Sequence, residues 1–406
     1  MKSGAHVLML AMLATPLAAQ PPQLSWDFDL PDARWNFTKI MGPSDAFTTE
    51  ARADGFAISP NHYDSFGFYE TPVGHSSPPL HAANILAVRW VIGTSAASPE
   101  DVPDFRLRMT ARDGSFTQTY IVQDAFKNDG HLSSVTPVSG RDLVFQTYTD
   151  VPASAVNGRG GDGFALAFDV MSFSRESGQR LNEDVVLKHV EVRALTPGDL
   201  GTNEGNVYEA DFRSGDDGWS RSDTTIGGHR VEHTTHQNGI GIRTFGPGQG
   251  DPINDIHSFN FPYGWWTRQN AFTMREGRVY RVKLTVRVDP NDGTTNLDRS
   301  VPTRLRFATP YHDYVAEVQL GSQPATGDTD GNPSFDGRTF FAWIATPPGL
   351  GDVPVDLYWE VWQDLQPVPT GSSMILQDLE IKAWTAPDAE GDSDRHLHVG
   401  EGIASE

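Results

Sequence analysis

The chain contains no cysteine. That excludes disulfides, thiolate metal sites and a thiol for lipid attachment, so the fold must hold by packing alone. Basic residues are scarce as well: 31 Lys and Arg stand against 53 Asp and Glu, a formal charge of −22. Such a surplus of negative charge repels phosphate backbones and anionic membrane surfaces, which removes nucleic acid as a partner and leaves neutral or cationic ligands and metal cations. Past the first residues, no run approaches the roughly 20 apolar residues of a membrane span. No segment sustains a 3.6-residue apolar period with caps, so helices are not expected. Catalytic signatures are missing too: there is no Gly-x-Ser-x-Gly elbow, no His-Glu-x-x-His pair and no phosphate loop. A carboxylate pair for glycoside hydrolysis leaves no local signature, so a polysaccharide-degrading enzyme stays open as a third alternative.

What is present is turn-rich and aromatic. With 39 Gly, 28 Pro, 22 Phe and 38% hydrophobic residues the chain is globular, and 406 residues suffice for two full cores. Residues 1–19 carry Lys2, an apolar run from Val7 to Leu13 and a small-residue stretch from Ala14 to Ala19. They read as a signal peptide cleaved before Gln20, which sends the product to the periplasm or the cell exterior.

One short pattern occurs twice. Asp27-Phe28 followed by Trp35 returns as Asp211-Phe212 followed by Trp219, and Asp54-Gly55-Phe56-Ala57-Ile58 returns as Asn238-Gly239-Ile240-Gly241-Ile242 at the same interval of 184 residues. A closing phrase is shared between Val186–Leu195 and Ile375–Trp384. Fixed-spacing self-similarity of this kind marks a tandem duplication. In each copy, short alternating runs such as Leu24–Leu30, Phe105–Met109 and Phe164–Phe173 are broken by Gly and Pro turns, the pattern of half-buried strands. Val102-Pro103 before Arg106-Leu107-Arg108 is echoed by Val301-Pro302 before Arg304-Leu305-Arg306. The expected fold is therefore all-β: a first β-sandwich over 20–196, a linker over 197–206, a second over 207–385, and an acidic disordered tail over 386–406. First and last strands of each copy should share a sheet, which explains why the opening and closing phrases are the best preserved.

The Asp-Phe opening, the polar turn ending in Trp35 or Trp219, and the final strand Leu376-Gln377-Asp378-Leu379-Glu380-Ile381 resemble jelly-roll carbohydrate-binding modules and their galactose-binding-like relatives. The resemblance implies two tandem jelly rolls and, where first and last strands meet, a structural calcium. Glu209, Asp211 and Asp378 occupy the comparable positions in the second copy, and hard oxygen ligands suit calcium. In the first copy His189 stands in place of Asp378, which departs from the pattern. Solvated acids protecting a sheet edge are the alternative.

For ligand binding the informative strand is Leu357-Tyr358-Trp359-Glu360-Val361-Trp362. Alternation sends Leu357, Trp359 and Val361 to one face, and Tyr358, Glu360 and Trp362 to the other. Aromatic rings beside a carboxylate acceptor suit the alternating CH and OH surfaces of a sugar. Trp343, and Trp265 and Trp266 in an expected loop, would extend the platform. The competing reading is ordinary packing or an interdomain contact. His229, His233 and His236 alternate in a presumed strand but have no acid nearby to complete a zinc site. Gly327–Pro333 has alternating acids but a Pro where a calcium loop needs Gly. The expectation is a secreted, non-catalytic protein that binds a neutral glycan or polysaccharide. The runner-up is a structural or self-assembling component of the cell exterior, in which the outward aromatics form a subunit interface.

Overall fold

A computed structural model describes residues 24–28, 35–71, 85–96, 101–111, 117–121, 142–150, 164–172, 181–195, 197–224, 230–236, 239–245, 263–289, 301–310, 314–323, 338–346, 351–362 and 373–385. The expected signal peptide, the 327–333 turn and the tail beyond 385 lie outside them. The first eleven strands are β1 (Leu24–Asp27), β2 (Asn36–Met41), β3 (Phe47–Arg52), β4 (Gly55–Pro60), β5 (Ser65–Glu70), β6 (Ile85–Thr94), β7 (Asp104–Ala111), β8 (Thr117–Ile121), β9 (Leu143–Asp150), β10 (Phe164–Ser172) and β11 (Val185–Leu195). Eleven more follow: β12 (Asn203–Asp211), β13 (Ser220–Thr224), β14 (Arg230–His236), β15 (Gly239–Phe245), β16 (Tyr263–Met274), β17 (Arg278–Asp289), β18 (Val301–Ala308), β19 (Tyr314–Gln323), β20 (Arg338–Ala345), β21 (Val353–Trp362) and β22 (Ser373–Thr385).

The strands form two antiparallel sheets, an all-β sandwich as expected. One runs β14-β15-β22-β17-β20-β9-β6-β11-β4-β3, with β1 added to β11 and β12 to β22; the other runs β13-β16-β21-β18-β19-β8-β7-β10-β5-β2. Their inner faces meet in one apolar core: Phe105 of β7 lies 6.1 Å from Phe145 of β9, and Phe272 of β16 lies 5.4 Å from Tyr280 of β17. Alternation builds that core. In β7, Phe105, Leu107 and Met109 are fully buried, and the arginines between them point the other way.

Read outward from its centre, each sheet repeats itself. Every strand from β1 to β11 has a counterpart eleven places later with the corresponding neighbours. The centres are the antiparallel pairs β8–β19, where Glu317 faces Thr119, and β9–β20, where Trp343 faces Tyr148. Antiparallel pairing of two equivalent strands relates the halves by an approximate two-fold axis normal to the sheet, so each sheet runs unbroken through both.

The repeated phrases have repeated physical causes. Phe28 meets Trp35 edge to face at 5.2 Å and 88°, and Phe212 meets Trp219 at 5.4 Å and 85°. Gly55 and Gly239 sit at φ +144° and +148°, and a Cβ there would lie 2.6 Å from the Leu187 carbonyl and 2.3 Å from that of Leu376. Only glycine fits both places. First and last strands pair as expected: Asp27 faces His189 across β1–β11, and Asp211 faces Asp378 across β12–β22. The expected linker is shorter in structure. Pro197–Leu200 is a 3-10 turn whose Leu200 is buried, and β12 begins at Asn203, four residues before the expected strand.

Candidate functional site

The outer face of the ten-stranded sheet carries the candidate site. In β18, Leu305 and Phe307 fill the core, so Arg304 and Arg306 project outward. In β21, Leu357, Trp359 and Val361 do the same, leaving Tyr358 and Glu360 on the arginine side. Register then sets the contacts: Arg304 stands opposite Glu360 and Arg306 opposite Tyr358. On the far side of β21, Trp265 faces Glu360 and Thr267 faces Tyr358.

The two arginines and two carboxylates interlock. The Arg304 guanidinium donates through Nε to Glu360 and through Nη1 to Glu317 at 3.2 Å. Arg306 Nη1 lies 3.0 Å from the other Glu360 oxygen. Glu360 is only 1% exposed and Arg306 7%, so this charge network is largely removed from water. Such a network persists only if paired, and the pairing fixes the guanidinium planes. Burial pushes the Tyr358 phenol above its ordinary pKa, and the nearby Asp356 carboxylate pushes the same way. The phenol stays neutral and can donate or accept a hydrogen bond at any physiological pH. Trp265 remains partly exposed beside this network.

The expected outward direction of Tyr358 and Glu360 is observed, since neither enters the core between the sheets. Their expected exposure is not: Tyr358 is 8% exposed, and the neighbouring arginine chains lie over the Glu360 carboxylate. Glu360 therefore positions Arg304 and Arg306 and is not an open acceptor. The other expected platform residues lie elsewhere. Residues 263–266 begin a twelve-residue strand, not a loop, pairing with β13 on one side and β21 on the other. Trp266 points into the core, where its indole donates to the Gly241 carbonyl at 3.2 Å. Trp343 belongs to β20 of the opposite sheet and packs 5.1 Å from Trp384. Trp362 faces Tyr263 in register, and the side chains of both lie outside the described part of the structure. His233 donates through Nε2 to the Trp265 carbonyl at 3.1 Å and meets the Trp266 ring edge-on, a packing role between sheets; His229 and the His236 side chain are not described.

The sequence reading passed over Arg304 and Arg306. Their signal was present in the repeated Arg-Leu-Arg: period two buries the leucine and puts both cations on the face that bears Glu360. What pattern alone could not supply was the register that brings Glu317 from β19 into the same network.

The three acids expected to hold calcium are each engaged. Asp211 accepts from Arg213 Nε at 2.7 Å and Nη2 at 3.1 Å, and also from the Arg213 backbone amide. That pairing holds its carboxyl below the usual range. Asp378 accepts from the Thr285 hydroxyl at 3.0 Å, and Glu209 from Asn206 at 2.9 Å. In the first copy Asp27 pairs with His189 instead. Among the described residues, no group of three or more His, Asp or Glu is placed to hold a metal ion.

No family model and no curated protein matches the chain. Among solved structures it is similar to the CBM22-1 xylan-binding domain of Paenibacillus barcinonensis Xyn10C, at 12% identity and a TM-score of 0.26, over 46% of this chain and 97% of that one. It is also similar to the ANX2 ectodomain of Arabidopsis thaliana, at 11% identity and a TM-score of 0.24, over 90% of this chain and 94% of that one. A third similar structure is the VIP36 exoplasmic/lumenal domain in its Ca2+/Man3GlcNAc-bound form, at 7% identity and a TM-score of 0.21, over 41% of this chain and 87% of that one. Scores this low leave function to be argued from the chain's own residues.

Proposed function

We propose that this protein is an exported, non-catalytic glycan-binding protein of two tandem β-sandwiches, over 20–196 and 207–385, with a sugar site on the outer face of β16, β21 and β18. The observation that carries this reading is the partly exposed Trp265 in one register row with Glu360 and Arg304. An indole supplies an apolar face for a pyranose ring. The Arg304 guanidinium, 24% exposed and held by buried carboxylates, offers fixed N–H donors for hydroxyl oxygens, with little side-chain entropy left to lose on binding. The charges of Arg304 and Arg306 are balanced by those of Glu317 and Glu360, which favours a neutral ligand. Tyr358 flanks the site, and Trp362 stands on the same strand. Among the described residues no helix is long and apolar enough to cross a membrane, in keeping with export.

Titration of the full chain with soluble neutral polysaccharides tests the reading. Tryptophan fluorescence should change on binding, and Trp265→Ala should abolish both the change and retardation in affinity gels while the melting temperature is kept. A wild-type protein that responds to none of the polysaccharides, or a Trp265→Ala variant that binds as well as wild type, refutes it.

A further inference from the structure

The outer face around Trp265 is open on one side only. Register carries one row of outward side chains from the sheet edge inward: Ser220 of β13, Thr267 of β16, Tyr358 of β21, Arg306 of β18 and Glu317 of β19. None of them enters the core between the sheets. Even so, Ser220 is exposed, Thr267 half-buried, Tyr358 and Arg306 buried, and Glu317 fully buried. The adjacent row begins the same way: Ser222 is exposed, Trp265 half-buried and Glu360 buried, with the Arg304 guanidinium over it tied to both Glu360 and Glu317. β13 is the outermost strand of the ten-stranded sheet at this end, and Ser220, Arg221 and Ser222 are all exposed. A sugar ring lying on Trp265 can therefore be followed by further rings across β13 and off the sheet edge. In the opposite direction Arg304 and the buried Tyr358, Arg306 and Glu317 close the face.

The first half repeats the charge network without the open ring. Arg106 and Arg108 flank the buried Leu107 of β7 and share the fully buried Asp169 carboxylate of β10, which accepts from Arg108 Nη2 at 3.0 Å and Nε at 3.1 Å and lies 3.1 Å from Arg106 Nη2. Phe68 faces Asp169 as Trp265 faces Glu360. The Arg108 guanidinium, however, lies 5.0 Å from the Phe68 ring centre, and that of Arg106 lies 5.3 Å from Phe66. A cation over an aromatic face occupies the surface on which a sugar would stack.

Resting on the function proposed above, we infer that the Trp265 site takes the end of a neutral glycan chain. The terminal sugar lies on Trp265 with its hydroxyls against Arg304, the next sugar lies over β13 within reach of the Ser220 and Ser222 hydroxyls, and the rest of the chain leaves into solvent. A site that grips a chain along its length needs a way out at both ends. This one has a single way out, over the edge strand.

The test is calorimetric titration of the full chain with linear xylo-, cello- and manno-oligosaccharides, from monosaccharide upward, and with soluble linear polysaccharides before and after random partial cleavage. In the series that binds, one protein should bind per ligand chain at every length. Affinity per mole of chains should stop rising after the first few sugars, and the amount of protein bound per unit mass of polysaccharide should grow in proportion to the chain ends that cleavage creates. Replacing both β13 hydroxyls, with Ser220→Ala and Ser222→Ala together, should lower affinity for the trisaccharide by about 5- to 30-fold, the worth of two neutral hydrogen bonds, and leave the monosaccharide unchanged. Several proteins seated along each long chain, or capacity unchanged by cleavage, overturns end recognition and leaves the Trp265 site standing. A double variant that melts as wild type does and binds the trisaccharide equally well overturns the exit over β13. A wild-type protein that binds neither the polysaccharides nor their fragments overturns the Trp265 site itself.

Discussion

Removing the carboxylate at the centre of each arginine network should cost unequal amounts, because the two networks differ in their access to water. Glu360→Ala takes away the group that contacts both Arg304 and Arg306, and Arg306 is only 7% exposed. Breaking a buried ion pair from one side costs about 3–5 kcal/mol, most of it from the charge left in a poorly solvated place. Asp169→Ala leaves Arg106 and Arg108 at 23% and 21% exposure, where water reaches both guanidiniums. Its cost should fall to about half, roughly 2 kcal/mol, between the buried and the surface limits. At about 2–4 °C per kcal/mol for a unit of 150–250 residues, the expected losses in melting temperature are roughly 6–20 °C for Glu360→Ala and 4–8 °C for Asp169→Ala. Urea unfolding followed by far-UV circular dichroism measures both, with Glu360→Gln as a control that keeps the side-chain shape. Equal losses for the two alanine variants, or a Glu360→Ala loss below about 1 kcal/mol, would refute the argument that burial sets the worth of these pairs.

Further outcomes follow from the same structure. Gly55→Ala and Gly239→Ala should each destabilise by about 1–3 kcal/mol, since a Cβ would meet a backbone carbonyl at 2.6 or 2.3 Å in a conformation that L-residues avoid; chemical denaturation of either variant checks this. Treatment with a chelator should leave the melting temperature unchanged, because Arg213, Thr285 and Asn206 already engage Asp211, Asp378 and Glu209; a clear drop in melting temperature would restore calcium at this site. Burial raises the pKa of Tyr208, Tyr280 and Tyr358, so the folded state holds these protons more tightly than the unfolded chain. Their contribution to stability is full below the unfolded value of about 10 and is lost as pH rises through the folded values, so melting temperature should fall on the alkaline side, and less steeply in Tyr280→Phe.

Much of the strand pattern was legible because its causes are local. Alternation in Phe105–Met109 and Leu357–Val361 is a property of a few consecutive residues, and the structure places those side chains on the faces that period two assigns. The repeated Asp-Phe and Trp were legible for a similar reason. An edge-to-face ring pair and a glycine pressed against a carbonyl tolerate few substitutes, so both copies retained the same letters. Less visible was Tyr263–Trp266, read as a loop because one glycine among three aromatics does not alternate in polarity, although β16 pairs there with both β13 and β21. Sequence alone also joined Trp343 to Tyr358, when neighbouring runs in the chain had been sent to opposite sheets.

By itself the sequence determined an acidic, cysteine-free chain, a duplicated set of antiparallel strands, and the face on which each alternating side chain would fall. Only the tertiary structure decided which strands became neighbours. Many hydrogen-bonded partners, such as β10 with β5 and β11 with β6, lie far apart in the chain, and a strand's own pattern says which way its side chains point without saying what stands beside them. That choice placed Glu317 and Glu360 around Arg304, gathered Phe68 and Asp169 around Arg108, and joined β8 to β19 so that two half-sheets became one sheet.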